Sequence, residues 1–419
     1  ELRRELLKGQ PAPPGTAEGA IRVSRAVAAM EPSATVAISD LAIELKRQGK
    51  PVLSLSVGEP DFAPPPAVMA AAHEALDQGK VKYTAPAGTH ELRTAVCKDL
   101  VRRKGLRYAP EQVLCCNGAK QAILQAVLAF CNPGDELVLP APYWPSHIGI
   151  PQLCGVRPVV VQTSAQHGYC LQPAALEAAI TPATRMLVLC NPSNPTGAVI
   201  PRATLEGIAA VLRRHPNVVV LSDEIYEIIT YDEPHVAFAT LDGMFERTLT
   251  VNGFSKGAAM TGFRLGYVCG PTLAIKAMAK VQGNNTSCPS SIAQHAGVAA
   301  VEHAHGDFAH GCVDNFRAKR DFVVSRLRAM PGVECPEPQG AFYVFPTVSA
   351  FYGRAPPGGA PLAGSVAICD YLLRAEHLAV VPGDAFGAPD CVRLSYATSM
   401  EVLKESMDRM EHGLAQLVG

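Results

Sequence analysis

The chain has 419 residues, of which 48% are hydrophobic and 18% charged, and its formal net charge is −1. This length exceeds the size at which a single hydrophobic core stops growing, so we expect two domains that share a seam. The near-neutral charge argues against nucleic acid and anionic membrane as partners, and no apolar run approaches the roughly 18 residues that a membrane-spanning helix needs.

The N-terminal part combines an irregular arm with short regular segments. Residues 1–30 contain closely spaced prolines and lack a clear periodicity, which predicts an N-terminal arm. The regular segments that follow are predicted helices over residues 33–45, 67–76 and 91–104 and a predicted strand over residues 51–55.

From residue 112 onwards strands and helices alternate, which is typical of a parallel sheet covered by helices. The predicted strands span residues 112–116, 136–139, 156–161, 186–190, 218–221 and 248–251. Polar loops follow several of these strands, and open α/β sheets bind ligands at that edge. The last third of the chain, with long helices and short strands, predicts a smaller α+β domain.

The stretch Val251–Gly266 holds one lysine among small residues, directly after a predicted strand. A lysine in a desolvated pocket loses affinity for its proton and becomes an amine nucleophile that can form a Schiff base. Ser255 and Arg264 offer a hydroxyl and a planar set of donors that suit a phosphate. Such an amine beside a phosphate site suggests pyridoxal phosphate, although Lys256 taken alone is more typical of a surface lysine, with the arginine in a salt bridge.

Thirteen cysteines are scattered along the chain without any C-x-x-C pair. We interpret them as buried thiols in a reducing compartment. The spacings of zinc sites, EF-hands and Walker A loops are absent, so no metal site is predicted.

A series of segments, each weak alone, together resembles the class I aminotransferases, the aspartate aminotransferase-like branch of the pyridoxal phosphate enzymes. These segments are Asn194-Pro195-Thr196-Gly197, Asp223-x-x-Tyr226, Ser255-Lys256, Arg264-x-Gly266 and Arg393 within Val392–Tyr396. The resemblance implies pyridoxal phosphate as cofactor and an α/β fold of type I, with a mostly parallel central sheet covered by helices plus a smaller α+β domain. The domains we predict are the arm (1–30), part of the small domain (31–75), the large cofactor-binding domain (76–305) and the small C-terminal domain (306–419).

The resemblance assigns the chemistry to strand-end residues. It implies that Lys256 holds the cofactor covalently and moves a proton between substrate and cofactor. Asp223 would pair with the pyridinium nitrogen, and Tyr226 and Asn194 would hydrogen-bond the phenolate oxygen of the ring. From the residues alone, Asp223 is as compatible with a helix N-cap, Tyr226 with core packing and Asn194 with a turn.

Further cofactor contacts follow from the same resemblance. The only tryptophan, Trp144, would stack on the pyridine ring, although a lone tryptophan usually belongs to a core. The helix start at Gly118, Ala119 and Lys120 would bind the phosphate. Tyr83 would reach that phosphate from a neighbouring subunit of a homodimer with shared active sites, whereas the alternative for Tyr83 is an ordinary surface residue.

The same resemblance implies which residues contact the substrate. Arg393 would bind the α-carboxylate in a bidentate manner, the alternative being a surface salt bridge. Gly58 would add backbone contact, and the loop 58–62 would close over the substrate. Trp144 and Asn194 would face the substrate as well as the cofactor.

The more detailed resemblance is to the plastid and bacterial bifunctional aspartate/prephenate aminotransferases. It is carried by residues 31–41, 117–121, 248–256 and 382–387. In that group a threonine and a lysine at the positions of Thr35 and Lys120 accompany prephenate use, and both suit a second carboxylate. Ala258 and Phe263 depart from the usual phenylalanine and tryptophan, which are packing changes that put substrate preference in doubt.

The predicted reaction moves the amino group of aspartate or glutamate to prephenate, giving arogenate, or to oxaloacetate or 2-oxoglutarate, in phenylalanine and tyrosine biosynthesis. The alternatives are a plain aspartate aminotransferase, an alanine or aromatic aminotransferase or carbon–sulfur lyase of the same fold, and a non-catalytic sensor domain. The expected partners are small amino and keto acids. A plastid location is an expectation from the resemblance and from the lack of an initiator methionine at Glu1.

Overall fold

The computed structural model describes residues 23–28, 30 and 34–418. Its strands, numbered in chain order, are β1 (Leu53–Ser54), β2 (Val113–Cys116), β3 (Glu136–Ala141), β4 (Arg157–Gln162), β5 (Thr184–Cys190), β6 (Val219–Asp223), β7 (Thr248–Gly253), β8 (Gly266–Cys269), β9 (Tyr343–Val344), β10 (Leu378–Ala379), β11 (Val381–Pro382) and β12 (Val392–Ser395). Most of the predicted arm, namely residues 1–22 and 29, lies outside the described residues.

The α-helices of the described residues are α1 (Arg25–Ala28), α2 (Ala34–Arg47), α3 (Pro66–Asp77), α4 (His90–Lys104), α5 (Ala119–Phe130), α6 (Pro145–Leu153), α7 (Pro173–Ala179), α8 (Arg202–Arg214), α9 (Thr272–Asn285), α10 (Ser291–His303), α11 (Asp307–Ala329), α12 (Ser365–Ala375) and α13 (Met400–Ala415). Helix α4 shows why such ends are predictable from sequence. The Thr89 side chain accepts a hydrogen bond from Leu92 N at its start, and Gly105 ends it with φ of 69°, a conformation that favours glycine.

The central sheet has the strand order β2-β8-β7-β6-β5-β3-β4. Strands β3 to β7 pair in parallel, whereas β8 runs antiparallel to both β7 and β2. The sequence interpretation left out β8. The connection after Gly253 holds no α-helix, which suits antiparallel neighbours, because parallel strands are usually joined through a helix. The predicted α/β fold with a mostly parallel sheet is confirmed.

Strand β5 shows how this sheet is buried on both faces. Met186 and Val188 point to the core that includes α5 residues, whereas Leu187 and Leu189 point to the core that includes α8 residues. Alternation of side chains across a strand produces this division, and covering helices explain why the strand is apolar throughout. Its C-terminal end is therefore held rigidly between two packed layers.

The remaining strands form two small sheets near the C-terminal part of the chain. Strand β1 pairs in parallel with β10, and β12 pairs antiparallel with β11 and β9. Helix α3 instead shares a core with α4 and α10 through Val68, Ala72, Leu92 and Ala293. The packing thus places α3, predicted within the 31–75 part of the small domain, beside helices predicted for the large domain, and the domain limits stay a prediction. Within the described residues, no helix combines the length and apolarity needed to cross a membrane.

Candidate active site

The C-terminal ends of β5, β6 and β7 meet at one edge of the sheet, where a cavity of about 440 Å³ opens. Most of the predicted site residues line this single cavity, namely Gly58, Ala119, Lys120, Trp144, Asn194, Asp223, Tyr226, Ser255, Lys256, Arg264 and Arg393. Segments far apart in the chain converge here, in part because the parallel strands β5, β6 and β7 end at the same edge of the sheet.

Lys256 follows β7 and projects into the cavity, where its Nζ donates a hydrogen bond to Gly58 O at 2.5 Å. Burial lowers the pKa of this amine to about 8, while the nearby Glu59 carboxylate opposes the shift and Arg393 adds to it. At pH 7 a pKa of about 8 leaves roughly a tenth of the amine neutral, far more than for an exposed lysine, which makes Lys256 a usable nucleophile and proton carrier. The alternative of a solvated surface lysine is wrong.

Asp223 is the last residue of β6 and is 3% exposed. Its Oδ2 lies 3.0 Å from His147 Nε2, and its Oδ1 accepts a hydrogen bond from Ile225 N at 3.3 Å. The described chain continues from β6 through turns to a short 3-10 helix at Phe238–Thr240, so the helix N-cap alternative is wrong. The buried carboxylate faces a cavity, where it suits a protonated ring nitrogen.

Arg393 lies on β12 and is buried, and hydrogen bonds hold both of its terminal nitrogens. Nη1 donates to Asn194 Oδ1 at 3.0 Å and Nη2 donates to Ser56 O at 2.7 Å, whereas Nε is buried without a hydrogen-bond partner. None of the contacts found among the described residues is a carboxylate, so the surface salt-bridge alternative is wrong. A buried guanidinium whose charge is not compensated favours an anion in the adjoining cavity.

The start of α5 and the loop after Lys256 form a cradle suited to a phosphate. Gly118 precedes the helix with φ of 82° and no side chain caps it, which leaves N–H donors of the first turn directed outward. A Cβ on Gly118 would lie 2.6 Å from Arg264 Nη2, and a Cβ on Gly266 would lie 2.6 Å from Ala119 N. Ser255 is 9% exposed at the same wall. A helix start, a guanidinium and a hydroxyl packed this closely fit the phosphate of pyridoxal phosphate.

Gly118→Ala is expected to weaken the binding of pyridoxal phosphate by about tenfold or more, because a side chain here is strained at positive φ and displaces the Arg264 guanidinium. The affinity is measured by titrating cofactor-free protein with pyridoxal phosphate. Gly105→Ala is the matched control, since Gly105 also has positive φ but a Cβ there meets nothing within 4 Å. Equal cofactor affinity in the Gly118 and Gly105 variants would contradict the cradle.

Lys120 and Trp144 also line the cavity. The Lys120 Nζ lies 4.8 Å from the centre of the Trp144 ring, and burial followed by the Arg264 charge lowers the Lys120 pKa. Trp144 is only partly buried beside a core, so its ring serves both as packing and as a flat surface of the cavity.

Among the described predicted site residues, Gly118 and Tyr83 do not line the cavity itself. Tyr83 is 90% exposed, and its predicted role in a second subunit stays a prediction. Thr35 lies on α2, but its side chain is outside the described residues. The departures noted in the sequence, Ala258 and Phe263, belong to the core that also contains Phe254 and Met260, so they act through packing and do not line the cavity.

Several residues in or beside the cavity were not found from the sequence. His147 hydrogen-bonds Asp223 and packs edge-on against Trp144 at 5.2 Å, and Tyr343 hydrogen-bonds Tyr226 at 2.8 Å. The only sequence signal for His147 is its position three residues after Trp144, on the same face of a helix. Glu59, whose carboxylate accepts a hydrogen bond from the Thr261 hydroxyl, and Ser56 also line the cavity.

Comparison with known proteins agrees with this geometry. Residues 50–410 match the family "Aminotransferase class I and II". An aspartate aminotransferase of Pinus pinaster is 48% identical over 95% of this chain and 82% of its own length. A bifunctional aspartate aminotransferase and glutamate/aspartate-prephenate aminotransferase of Petunia hybrida is 46% identical over 95% of this chain and 84% of its own.

Solved structures show the same likeness. The aspartate aminotransferase of Rhizobium meliloti superposes with a TM-score of 0.92 at 42% identity, covering 95% of this chain and all of that chain. The aspartate aminotransferase of Thermus thermophilus with maleate gives a TM-score of 0.88 at 40% identity, covering 94% of this chain and 100% of that chain. Family, fold and a cavity that fits the cofactor therefore agree: the chain belongs to the class I and II aminotransferases and is a pyridoxal-phosphate-dependent enzyme.

Proposed function

We propose that this enzyme transfers the amino group of aspartate or glutamate to prephenate, giving arogenate, and to oxaloacetate or 2-oxoglutarate, and that it serves phenylalanine and tyrosine biosynthesis. The observation that carries the proposal is the presence of two cations, Arg393 and Lys120, in the cavity in addition to the Arg264 of the phosphate cradle. Two separate cations match substrates with two carboxylates.

The residues of the site have separate roles in this reaction. Bound pyridoxal phosphate supplies a ring that accepts electrons from the substrate. Lys256 Nζ takes and returns the proton of the substrate Cα, for which a pKa of about 8 is well placed. Asp223, held by His147, keeps a negative charge at the ring nitrogen, and Arg393 orients the α-carboxylate.

The loop 58–62 excludes water from this reaction. It is anchored at one side by the Asp61–Lys319 ion pair at 2.5 Å and by the Phe62 ring, whose centre lies 5.5 Å from that of Phe316. On the other side, Gly58 O accepts the Lys256 hydrogen bond. The loop therefore joins helix α11 to the reacting amine, and its closure couples substrate binding to dehydration of the cavity.

Acceptance of a second carboxylate is assigned to Lys120. Its ammonium is held by a flexible chain above Trp144, so it reaches carboxylates at different distances from Arg393, whereas an arginine has a rigid fork. This suits both short dicarboxylates and the bulkier prephenate. The names of the relatives from Petunia hybrida and Cereibacter sphaeroides, the latter an aspartate/prephenate aminotransferase 43% identical to this chain, support the choice.

We expect Lys120→Met to lower kcat/KM for prephenate and oxaloacetate by about 10- to 100-fold, because a charge-assisted hydrogen bond contributes about 1.5–3 kcal/mol. The activity with alanine, which lacks a second carboxylate, should fall much less. Steady-state kinetics with each substrate check this, and Lys98→Met, an exposed lysine of α4, is the control. An equal loss with alanine and with dicarboxylates would assign Lys120 to the cofactor alone.

The substrate assignment is tested with a panel of keto acids, using aspartate and glutamate as donors. Parallel lines in double-reciprocal plots are expected, because the two substrates react in separate half-reactions. If no arogenate forms at millimolar prephenate while oxaloacetate is converted, the prephenate assignment fails and a plain aspartate aminotransferase remains.

The proposal extends to a homodimer and to a plastid location. The supporting observation for the dimer is the 90% exposed Tyr83, an aromatic residue predicted to reach the phosphate of a second subunit. Analytical ultracentrifugation tests the dimer, and mixing inactive Tyr83 and Lys256 variants tests whether sites are shared. The location rests on the likeness to the plant relatives, and imaging of a fluorescent fusion of the full-length protein tests it.

A further inference from the structure

Two buried tyrosines share a hydrogen bond at the cavity wall. The hydroxyl oxygens of Tyr226 and Tyr343 lie 2.8 Å apart, both residues line the cavity, and they are 4% and 1% exposed. Burial raises the pKa of both phenols. Both hydroxyls therefore keep their protons at physiological pH.

The number of hydroxyl hydrogens limits what the pair can do. Each phenol has one hydrogen to donate, and one of the two hydrogens is used in the shared bond. The pair can therefore offer one O–H to the cavity. When Tyr226 directs its hydrogen into the cavity, Tyr343 must be the donor of the shared bond, and a hydroxyl that accepts one hydrogen bond donates more strongly in the next.

Tyr343 also contacts the substrate side of the site. Its ring lies 4.6 Å from Arg393 Cζ, and the ring of Phe386 lies 5.0 Å from the same atom. The Tyr343 hydroxyl leaves no room for a Cβ on Gly58. One side chain thus contacts Tyr226, Arg393 and the loop that begins at Gly58.

We propose that Tyr343 is a positioning residue with two roles, orienting the Tyr226 hydroxyl towards the cofactor through its own hydroxyl and fixing the plane of the Arg393 guanidinium with its ring. The inference deepens the proposed function, and its second role rests on Arg393 binding a substrate carboxylate. It assigns a task to a residue that lies 117 positions from Tyr226 along the chain.

The hydroxyl role is tested by Tyr343→Phe in the holoenzyme. This variant keeps the ring but leaves Tyr226 without its donor, so anionic charge on the cofactor is less stabilised and the pKa of the holoenzyme chromophore is expected to rise by up to about half a unit. The charged or titratable groups that face the tyrosine pair and Lys256, and that stay unchanged in this variant, are Glu59, Lys120, Cys190, Asp223, Arg264 and Arg393.

The ring role is tested by Tyr343→Leu, with maleate as a dicarboxylate probe. Loss of the aromatic surface beneath a desolvated guanidinium is expected to weaken maleate binding about tenfold, whereas Tyr343→Phe keeps that surface and most of the affinity. Trp144 is the only tryptophan and lines the cavity, so its fluorescence reports the titration.

Tyr396→Phe is the matched control. Tyr396 is also buried and shares a hydroxyl bond of 2.8 Å with Tyr231, but neither residue lines the cavity. The inference holds if the chromophore pKa moves in Tyr343→Phe and not in Tyr396→Phe, at similar losses of thermal stability. Equal chromophore pKa values in Tyr343→Phe and wild type, or equal shifts in both variants, overturn the hydroxyl role.

The ring role has its own decisive outcomes. Unchanged maleate affinity in Tyr343→Leu overturns it, and if that variant does not fold, a weakening of more than threefold in Tyr343→Phe overturns the assignment to the ring. Absence of maleate binding in the wild type would refute the proposed use of dicarboxylates and with it the ring role, while the chromophore titration still decides the hydroxyl role.

Discussion

Replacement of Lys256 by alanine is expected to remove the visible absorbance band of cofactor-supplied protein and to reduce turnover by at least about 10⁴-fold. The Nζ of Lys256 is the amine that the cavity desolvates most effectively, with a pKa of about 8. Its loss removes both the covalent attachment of the cofactor and the group that carries the proton. Absorbance spectra and steady-state rates of the purified variant measure the two effects separately.

The control is Lys98→Ala, which removes an exposed lysine of α4 and should leave band and turnover unchanged. Persistence of the band in Lys256→Ala would assign the attachment to another amine, for which Lys120 is the candidate because it lines the same cavity. Addition of small amines should restore part of the proton transfer in the alanine variant, since the cavity of about 440 Å³ leaves space for them.

The depressed pKa of Lys256 also predicts the pH dependence of cofactor capture. The neutral amine is the reactive form, so the capture rate of cofactor-free protein should rise as pH increases through about 8 and then level off. An ordinary exposed lysine would show this rise near pH 10.4. Stopped-flow absorbance over a pH series measures the midpoint, and a midpoint near 10 would show that the amine is solvated.

Arg393→Leu is expected to lower kcat/KM for every amino and keto acid substrate by about 30- to several-thousand-fold, because truncating one partner of a buried charge pair costs about 2–5 kcal/mol. The guanidinium is already aligned by Asn194 and Ser56 before substrate arrives, so little ordering remains to oppose binding. Kinetics with aspartate and with alanine should show similar factors, since both carry an α-carboxylate.

Arg393→Lys separates charge from geometry. It keeps a cation in the cavity but loses the bidentate fork, so its kcat/KM should fall between those of the wild type and Arg393→Leu. The Arg393 charge contributes to the low pKa of Lys256, and the pH midpoint of cofactor capture should therefore rise in Arg393→Leu. Unchanged kcat/KM in Arg393→Leu would show that Arg393 does not bind the α-carboxylate.

Much of this site could be predicted because the motifs that follow the strands resemble those of the class I aminotransferases. Asn194, Asp223 and Lys256 each follow an apolar run that is typical of a buried parallel strand, and parallel strands bring their C-terminal ends to one edge. The neighbouring residues then narrow the choice of cofactor, because Ser255 and Arg264 on either side of Lys256 suit a phosphate. The roles of these residues in catalysis stay predictions until the variants above are measured.

Tyr343 and His147 show what the sequence could not provide. Neither belongs to a motif, and each meets its partner across 117 and 76 residues of chain. Tyrosine and histidine occur both in cores and at surfaces, so only the hydrogen bonds of the folded chain reveal their neighbours, Tyr226 and Asp223. Strand β8 was missed for a different reason, because a run of four residues is too short to distinguish a strand from another apolar segment.

The sequence alone therefore determined the class of the sheet, the cofactor chemistry and the order of the strand-end residues, because alternating apolar runs and small-residue loops are local signals. Only the tertiary structure decided that Lys256 is buried enough to lose its proton near pH 8, that Arg393 lacks a carboxylate partner among the described residues, and that Tyr343 contacts both Tyr226 and Arg393. Burial and uncompensated charge depend on which distant segments pack together, and a local pattern carries no measure of either.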